Sequence, residues 1–522
     1  MKLLVSFLPI VLPFIFLVLM KMSAKKGMTL SFLFVLVGAI FVWNMELMVI
    51  SASIIQGIHK AFGILIILFG AIIMMNILKL NGAINRINIG FGNLTTDMRI
   101  QAVIIAFLFG ALIEGVAGFG TPAVVVAPLL VALGFSPIAA ATVSLISNSV
   151  PVPFAAVGTP INIGLENINN TSEFFNSIAR YITSIDFLAG AFMPTIVVFI
   201  LITFFAENKT KRDYIEILPW TLFIGYSYTV IAFISARVIG YEFVTIVSSI
   251  SMLLIATVTV KLGFLVPKNN WQKAFNKKDE LVVSEMSLVR AWLPYGIVIL
   301  LLILSRIVAP IKEFFTTFID LSINNILGVV GISSKLLLLY SPGFIIIIVA
   351  IISVFIQKAD KSNIKKASII SFNSVKGAAL ALIPTLAMVQ IFSNSGINLS
   401  ELASMPVYLA TFLGEYLNGV WILLAPFIGE LGSFIAGSAT VSAITFSPVQ
   451  YQIATEYGLN TDLILSLGLL GGAAGNMICV HNVVSVATVV GAEGEEGTII
   501  KKTVLPALLY ALLVGLAALI LF

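Results

Sequence analysis

Within nine residues, Glu114-Gly115-Val116-Ala117-Gly118-Phe119-Gly120-Thr121-Pro122 supplies a carboxylate, three glycines, a hydroxyl and a proline suited to starting a helix. Glycines let a backbone turn sharply and approach a ligand closely. The free N–H groups of a helix that begins at Thr121 would attract an anion. A carboxylate in apolar surroundings is costly, so Glu114 reads as a group that binds or carries a proton; accepting hydrogen bonds from the amides of the turn is its other possible role. Further along lies Ser147-Asn148-Ser149-Val150-Pro151-Val152-Pro153. Two prolines remove two backbone donors and must break a helix there, which turns Asn148 and its flanking serines toward the break. The Asn148 amide oxygen with freed backbone carbonyls could ligate sodium, or Asn148 could hydrogen-bond between helices.

The second half repeats the order. Gly432-Ser433-Phe434-Ile435-Ala436-Gly437-Ser438-Ala439-Thr440 is followed by Gly471-Gly472-Ala473-Ala474-Gly475-Asn476. Ser438 and Thr440 offer hydroxyls at the turn, and Asn476 stands where Asn148 stands in the first half. His481 titrates near neutral pH and could take part in proton coupling, or pack as a neutral ring. Glu430 and Glu415 lie in or beside this region and could carry charge. His59 falls at an outer loop, and Trp43 and Phe119 read as packing residues. One cysteine, Cys479, and two distant histidines exclude an intrachain disulfide and fall short of any metal-ligand spacing. No nucleophile–base pair, no phosphate-binding loop and no cofactor motif stands out, so the chain does not read as an enzyme.

Long apolar elements must position these residues. The chain has 522 residues, 59% hydrophobic and 10% charged, with a mean hydropathy of +1.10. That is a membrane protein; the net charge of +5 lies in short connections and does not point to nucleic acid. About 12 full spans are expected, near 3–20, 28–50, 61–80, 138–162, 184–206, 217–237, 243–265, 291–308, 339–356, 377–395, 462–489 and 503–522. The stretch 100–133 cannot make two crossings: its arms rise only about 22 and 18 Å against roughly 30 Å of hydrocarbon. It is expected to be a re-entrant hairpin with its tip at depth, tolerated only where protein or a wet cavity encloses it. The stretch 406–455 is the second hairpin. With the amino terminus outside, most Lys and Arg fall in inner loops, among them Lys25, Arg86, Lys211, Lys268, Lys365 and Lys501. The expected fold is therefore a single all-α polytopic domain over 1–522 with two inverted repeats, whose cores are 100–162 and 406–489, each a hairpin plus a broken helix. The bland alternative for such glycine-rich segments is close helix packing alone.

The run Ile113 to Pro122, with Asn148-Ser149-Val150-Pro151-Val152-Pro153-Phe154-Ala155-Ala156-Val157-Gly158-Thr159-Pro160, resembles the lactate permease family over most of the chain. The resemblance implies a multi-pass transporter in a prokaryotic cell membrane. It would bring L-lactate, D-lactate or glycolate into the cell by proton symport, with no cofactor. The residues read above as substrate or ion contacts are Glu114, Gly118, Gly120, Thr121, Ser147, Asn148, Ser149, Ser438, Thr440, Asn476 and His481. The family usually places an Asp where this chain has Ala439, a Lys where it has Asn476, and Pro-Gln where it has Val480-His481. Loss of a carboxylate and an ammonium together is consistent with the two pairing in relatives. It opens a sodium-coupled or altered-specificity carboxylate carrier as an alternative; a passive anion channel is more remote, since no ring of like residues is evident.

Overall fold

The computed structural model describes residues 1–20, 22–118, 120–166, 168–274 and 286–522. Phe119, expected to be a packing residue, lies outside them. The chain is 79% helix, with no strand among the described residues beyond two isolated bridges, Asp320 to Leu337 and Ile323 to Ser334. Among the described residues, nine helices are long and apolar enough to cross a membrane, or up to eleven if each bent pair is one span. The expected count of about twelve is not confirmed: Lys2–Leu17 and Pro342–Ile356 fall where crossings were placed but are short apolar helices.

Eight helices build the centre and are labelled α1 to α8. The first hairpin is α1 (Met98–Ala117) and α2 (Thr121–Ala132). A π-helical stretch, Val103–Phe109, lies within α1. Asp97 caps its start by accepting the Arg99 N–H. Helix α1 ends at Ala117 because Gly118 (φ 64°) and Gly120 (φ 73°) take positive φ values that residues with a Cβ avoid. Pro122 then sits in the first turn of α2, and Gly110 of α1 faces Val126 of α2, so the two arms run antiparallel. The broken helix follows. Ser136 caps α3 (Pro137–Ser147), which stops before Asn148, and α4 (Ala155–Leu165) leaves at 68° to it. Ala156, Val157 and Gly158 at the start of α4 are all left-handed.

In the second half, α5 (Trp421–Ala436) and α6 (Ala439–Glu456) are joined through left-handed Gly437, and Ser438 caps α6. They run antiparallel: Ser442 donates to the Gly429 carbonyl and Gln450 to that of Ala425. The hairpin starts at Trp421 rather than near 406; Met405–Leu417 is a separate helix, set off by a 3-10 turn at Asn418–Val420. Helix α7 (Thr461–Asn476) ends at Asn476, Cys479 is extended, and α8 (Val480–Val490) continues. Helices α5 and α7 run parallel through a glycine seam in which Gly429 meets Gly468 and Gly472, and Gly471 meets Pro426. Around this centre, the long helices Leu47–Leu80 and Ser362–Asn394 cross where Gly57 lies against the backbone of Ala387. His59 bonds to Ser334 and to the Leu321 carbonyl in the loop that carries the bridges. Trp43 is buried, donates to the Ala403 carbonyl and meets Tyr408 edge-on.

Candidate functional site

The two hairpin tips and the two helix breaks meet around one cavity of about 310 Å³, counting its mouth. Hairpin one contributes Glu114, Gly118 and Gly120. The first break contributes Val152, Ala155, Ala156, Thr159 and Pro160; the second hairpin contributes Gly437 to Thr440, and the second break Asn476. Segments more than 300 residues apart in sequence therefore line one space.

Close backbone approach makes this convergence possible. A Cβ on Gly118 would lie 3.1 Å from that of Ala156, and one on Gly120 would strike the Asn482 side chain. A Cβ on Gly437 would strike the His481 ring. The first turn of α8 thus touches both tips, through His481 to hairpin two and Asn482 to hairpin one. Asn482 also donates to the Asn476 carbonyl, 3.2 Å, across the second break. Ser438, Ala439 and Thr440 at the start of α6 border the cavity, as does Gly120 just before α2, so two helix N-termini point their dipoles to it.

Glu114 is 1% exposed, and its Oε2 has no hydrogen-bond partner. It is the one ionisable side chain among the described lining residues, and none of them is basic. Asn476 is buried with an unpartnered Oδ1; Ser438 and Thr440 line the cavity at the start of α6.

Other expected site residues stand near the cavity without lining it. Asn148 is buried in the first break with an unpartnered Oδ1, and Ser147 beside it has an unpartnered hydroxyl. Ser149 donates to the Ile146 carbonyl, 2.9 Å. The Thr121 hydroxyl is unpartnered, and Thr121 lines a separate apolar cavity with Phe109, Tyr295 and Leu302. His481 packs under Gly437 and is absent from the cavity wall. Glu415 is exposed, whereas Glu430 is buried.

Sequence reasoning passed over Asn482, whose only local mark is polarity in an apolar helix, and the cavity wall formed by Ala155, Thr159 and Pro160. It also passed over Asp186, which is buried and accepts a 2.7 Å hydrogen bond from Tyr510, 324 residues away. A lone Asp in the helix Ser172–Leu188 carries no sign of that partner.

The model of the L-lactate permease family matches residues 2–522. The chain belongs to that family. A Haemophilus influenzae chain provisionally named an L-lactate permease is 31% identical over 99% of this chain and 98% of its own length. The glycolate permease of Escherichia coli K12 is 27% identical over 99% and 95% of the two chains. The L-lactate permease of the same strain is 26% identical over 98% and 94%. With its run of apolar spans, this member of the L-lactate permease family is a multi-pass transport protein of the plasma membrane.

Proposed function

We propose that this permease takes up small 2-hydroxy monocarboxylates, L-lactate foremost and D-lactate or glycolate with it, in symport with protons, and that Glu114 carries the proton. It catalyses no covalent chemistry in this reading. One observation carries it: the starts of α2 and α6 border the cavity and can receive an anion, and its one ionisable lining group among the described residues is itself a carboxyl. Two carboxylates about 4 Å apart repel by roughly 4 kcal/mol at the effective dielectric of a protein site. Bound anion and ionised Glu114 are therefore incompatible unless a cation enters with the anion, and a proton on Glu114 is the simplest such cation. The N–H groups at the starts of α2 and α6 then hold the substrate carboxylate, while Ser438 and Thr440 meet its 2-hydroxyl. Names of relatives that include an L-lactate and a glycolate permease support the substrate class.

Purified protein in liposomes tests this. Uptake of labelled L-lactate is expected to follow an inward proton gradient and to be lost in Glu114→Gln, while exchange of lactate across the membrane persists. Gradient-driven uptake that survives in Glu114→Gln would remove Glu114 from the proton role.

Sodium coupling is a second reading, favoured by the unpartnered Asn148 Oδ1 and Ser147 hydroxyl in the first break. It requires uptake driven by a sodium gradient at equal pH and lost in Asn148→Ala.

A further inference from the structure

Away from the cavity wall, α5 carries a second buried carboxyl. Glu430 is 4% exposed, and neither of its oxygens has a hydrogen-bond partner. It stands seven residues before the tip glycine Gly437, about 10 Å along the helix. Ser433, three residues on and on the same helix face, is fully buried, and its hydroxyl is unpartnered too. The reason is specific. Several buried serines in this chain donate to the carbonyl four residues back, as Ser248 does to Val244 and Ser371 to Ala367. The carbonyl open to Ser433 is that of Gly429, and Ser442 of α6 has taken it. Across the seam, Gly475 of α7 lies over the Glu430 carbonyl and 2.7 Å from the Ser433 Cβ, measured from the Cβ it lacks. The next residue, Asn476, reaches the cavity with an unpartnered Oδ1. Unpartnered oxygens thus stand on Glu430 and Ser433 along one face of α5, and on Asn476 beside Gly475 across the seam at the substrate cavity.

We infer that Glu430, with Ser433 and Asn476, is a second proton-binding site of the transport cycle, so that two protons accompany each anion. This rests on the proton-coupled reading above and extends it. An ionised carboxylate here would be a buried charge without a counter-ion, which is far costlier than a neutral acid. Helix α5 packs on α6, α7 and the C-terminal helix Glu496–Leu521, and more lightly on Lys2–Pro13, Ser362–Asn394 and Met405–Leu417. Neither Glu430 oxygen meets a hydrogen-bond partner on any of these helices among the described residues. Tyr510 of the C-terminal helix is committed to Asp186. Glu430 thus holds a proton while the α5–α7 seam is closed and releases it only when the seam opens to water. Where Gly429 meets Gly468 and Gly471 meets Pro426, the two helices pack backbone to backbone, which keeps water from the seam while it is closed.

With the membrane potential held at zero, the steady-state accumulation of lactate reads the proton number directly. A pH difference of one unit gives about tenfold accumulation for one proton per anion and about a hundredfold for two. The wild-type permease is expected to reach about a hundredfold, Glu430→Gln about tenfold with lactate exchange retained, and Glu430→Asp the wild-type ratio. Wild type at tenfold would overturn the inference by itself, whether or not Glu430→Gln folds. So would Glu430→Gln at a hundredfold, or loss of exchange together with net uptake. Wild type without response to the pH difference would instead remove the proton-coupled reading on which the inference stands.

Discussion

The two hairpins solve one problem with different degrees of restraint. Each turns at a left-handed glycine and brings the N-terminus of its returning helix to the cavity. Hairpin one does so through two such glycines with no side-chain cap, and hairpin two through one glycine and a Ser438 cap. The breaks differ in the same sense. The first bends by 68° through three left-handed residues, whereas α7 and α8 together still pass as one span, Thr461–Val490. The carboxyls follow suit, Glu114 on the cavity wall and Glu430 seven residues behind its tip. Strained backbone and the cavity-lining carboxyl thus gather in the first half, and the second half supplies a straighter wall. Hairpin one is also fastened at its base. Arg99 is fully buried, makes a bidentate pair with Asp97, and donates to the carbonyls of Asp213 and Asn269. The backbone of Trp271 exchanges hydrogen bonds with Met98 and the Asp97 carboxylate.

That asymmetry can be broken most forcefully at the base. Asp97→Ala leaves Arg99 as a buried charge without its carboxylate, and is expected to cost about 3–5 kcal/mol of stability. Gln450→Ala, which removes the Gln450 bond to Ala425 in hairpin two, should cost about 1 kcal/mol. Thermal unfolding in detergent measures both, and equal costs would refute a special clasp on hairpin one. Next come the tips. Gly120→Ala and Gly437→Ala each place a Cβ into a neighbour at positive φ, and each should reduce lactate uptake by about tenfold or more. In the Gly437→Ala background, His481→Ala is expected to recover part of the loss, because the ring is what the new Cβ strikes. No recovery would mean that backbone strain alone decides the tip. The smallest effect lies in the breaks. Val157 is β-branched at φ 59°, so Val157→Gly should gain about 1 kcal/mol and raise the melting temperature by a few degrees. Cys479→Gly at the second break should lower it, since Cys479 is extended at φ −64° and gains nothing from glycine.

Local chemistry made much of this fold legible. The prolines at 151 and 153, the glycines at 118 and 120 and the lone Gly437 act on their own few residues of backbone, so the breaks and turns could be placed before any contact was known. Span lengths were less legible. Residues 3–20 and 339–356 read as crossings from hydropathy, yet their helices are short, because π-helical winding from Phe14 and a turn before Pro342 use up part of each stretch. The start of hairpin two was misplaced for a related reason: apolar composition continues through 406–420, and only the chain's path separates Met405–Leu417 from α5.

By itself the sequence determined that the chain spans a membrane, where its helices are interrupted, and which carboxylate stands at an interruption, because these depend on hydropathy and on the φ preferences of single residues. Tertiary structure alone decided that all four interruptions share one cavity, that His481 backs a tip instead of facing that cavity, that Asp186 finds Tyr510, and that Ser433 loses its usual acceptor to Ser442. Each of these is a contact between segments that hydrophobic patterning places at the same depth but not side by side, and only the packing of small residues against backbone selects which of them touch.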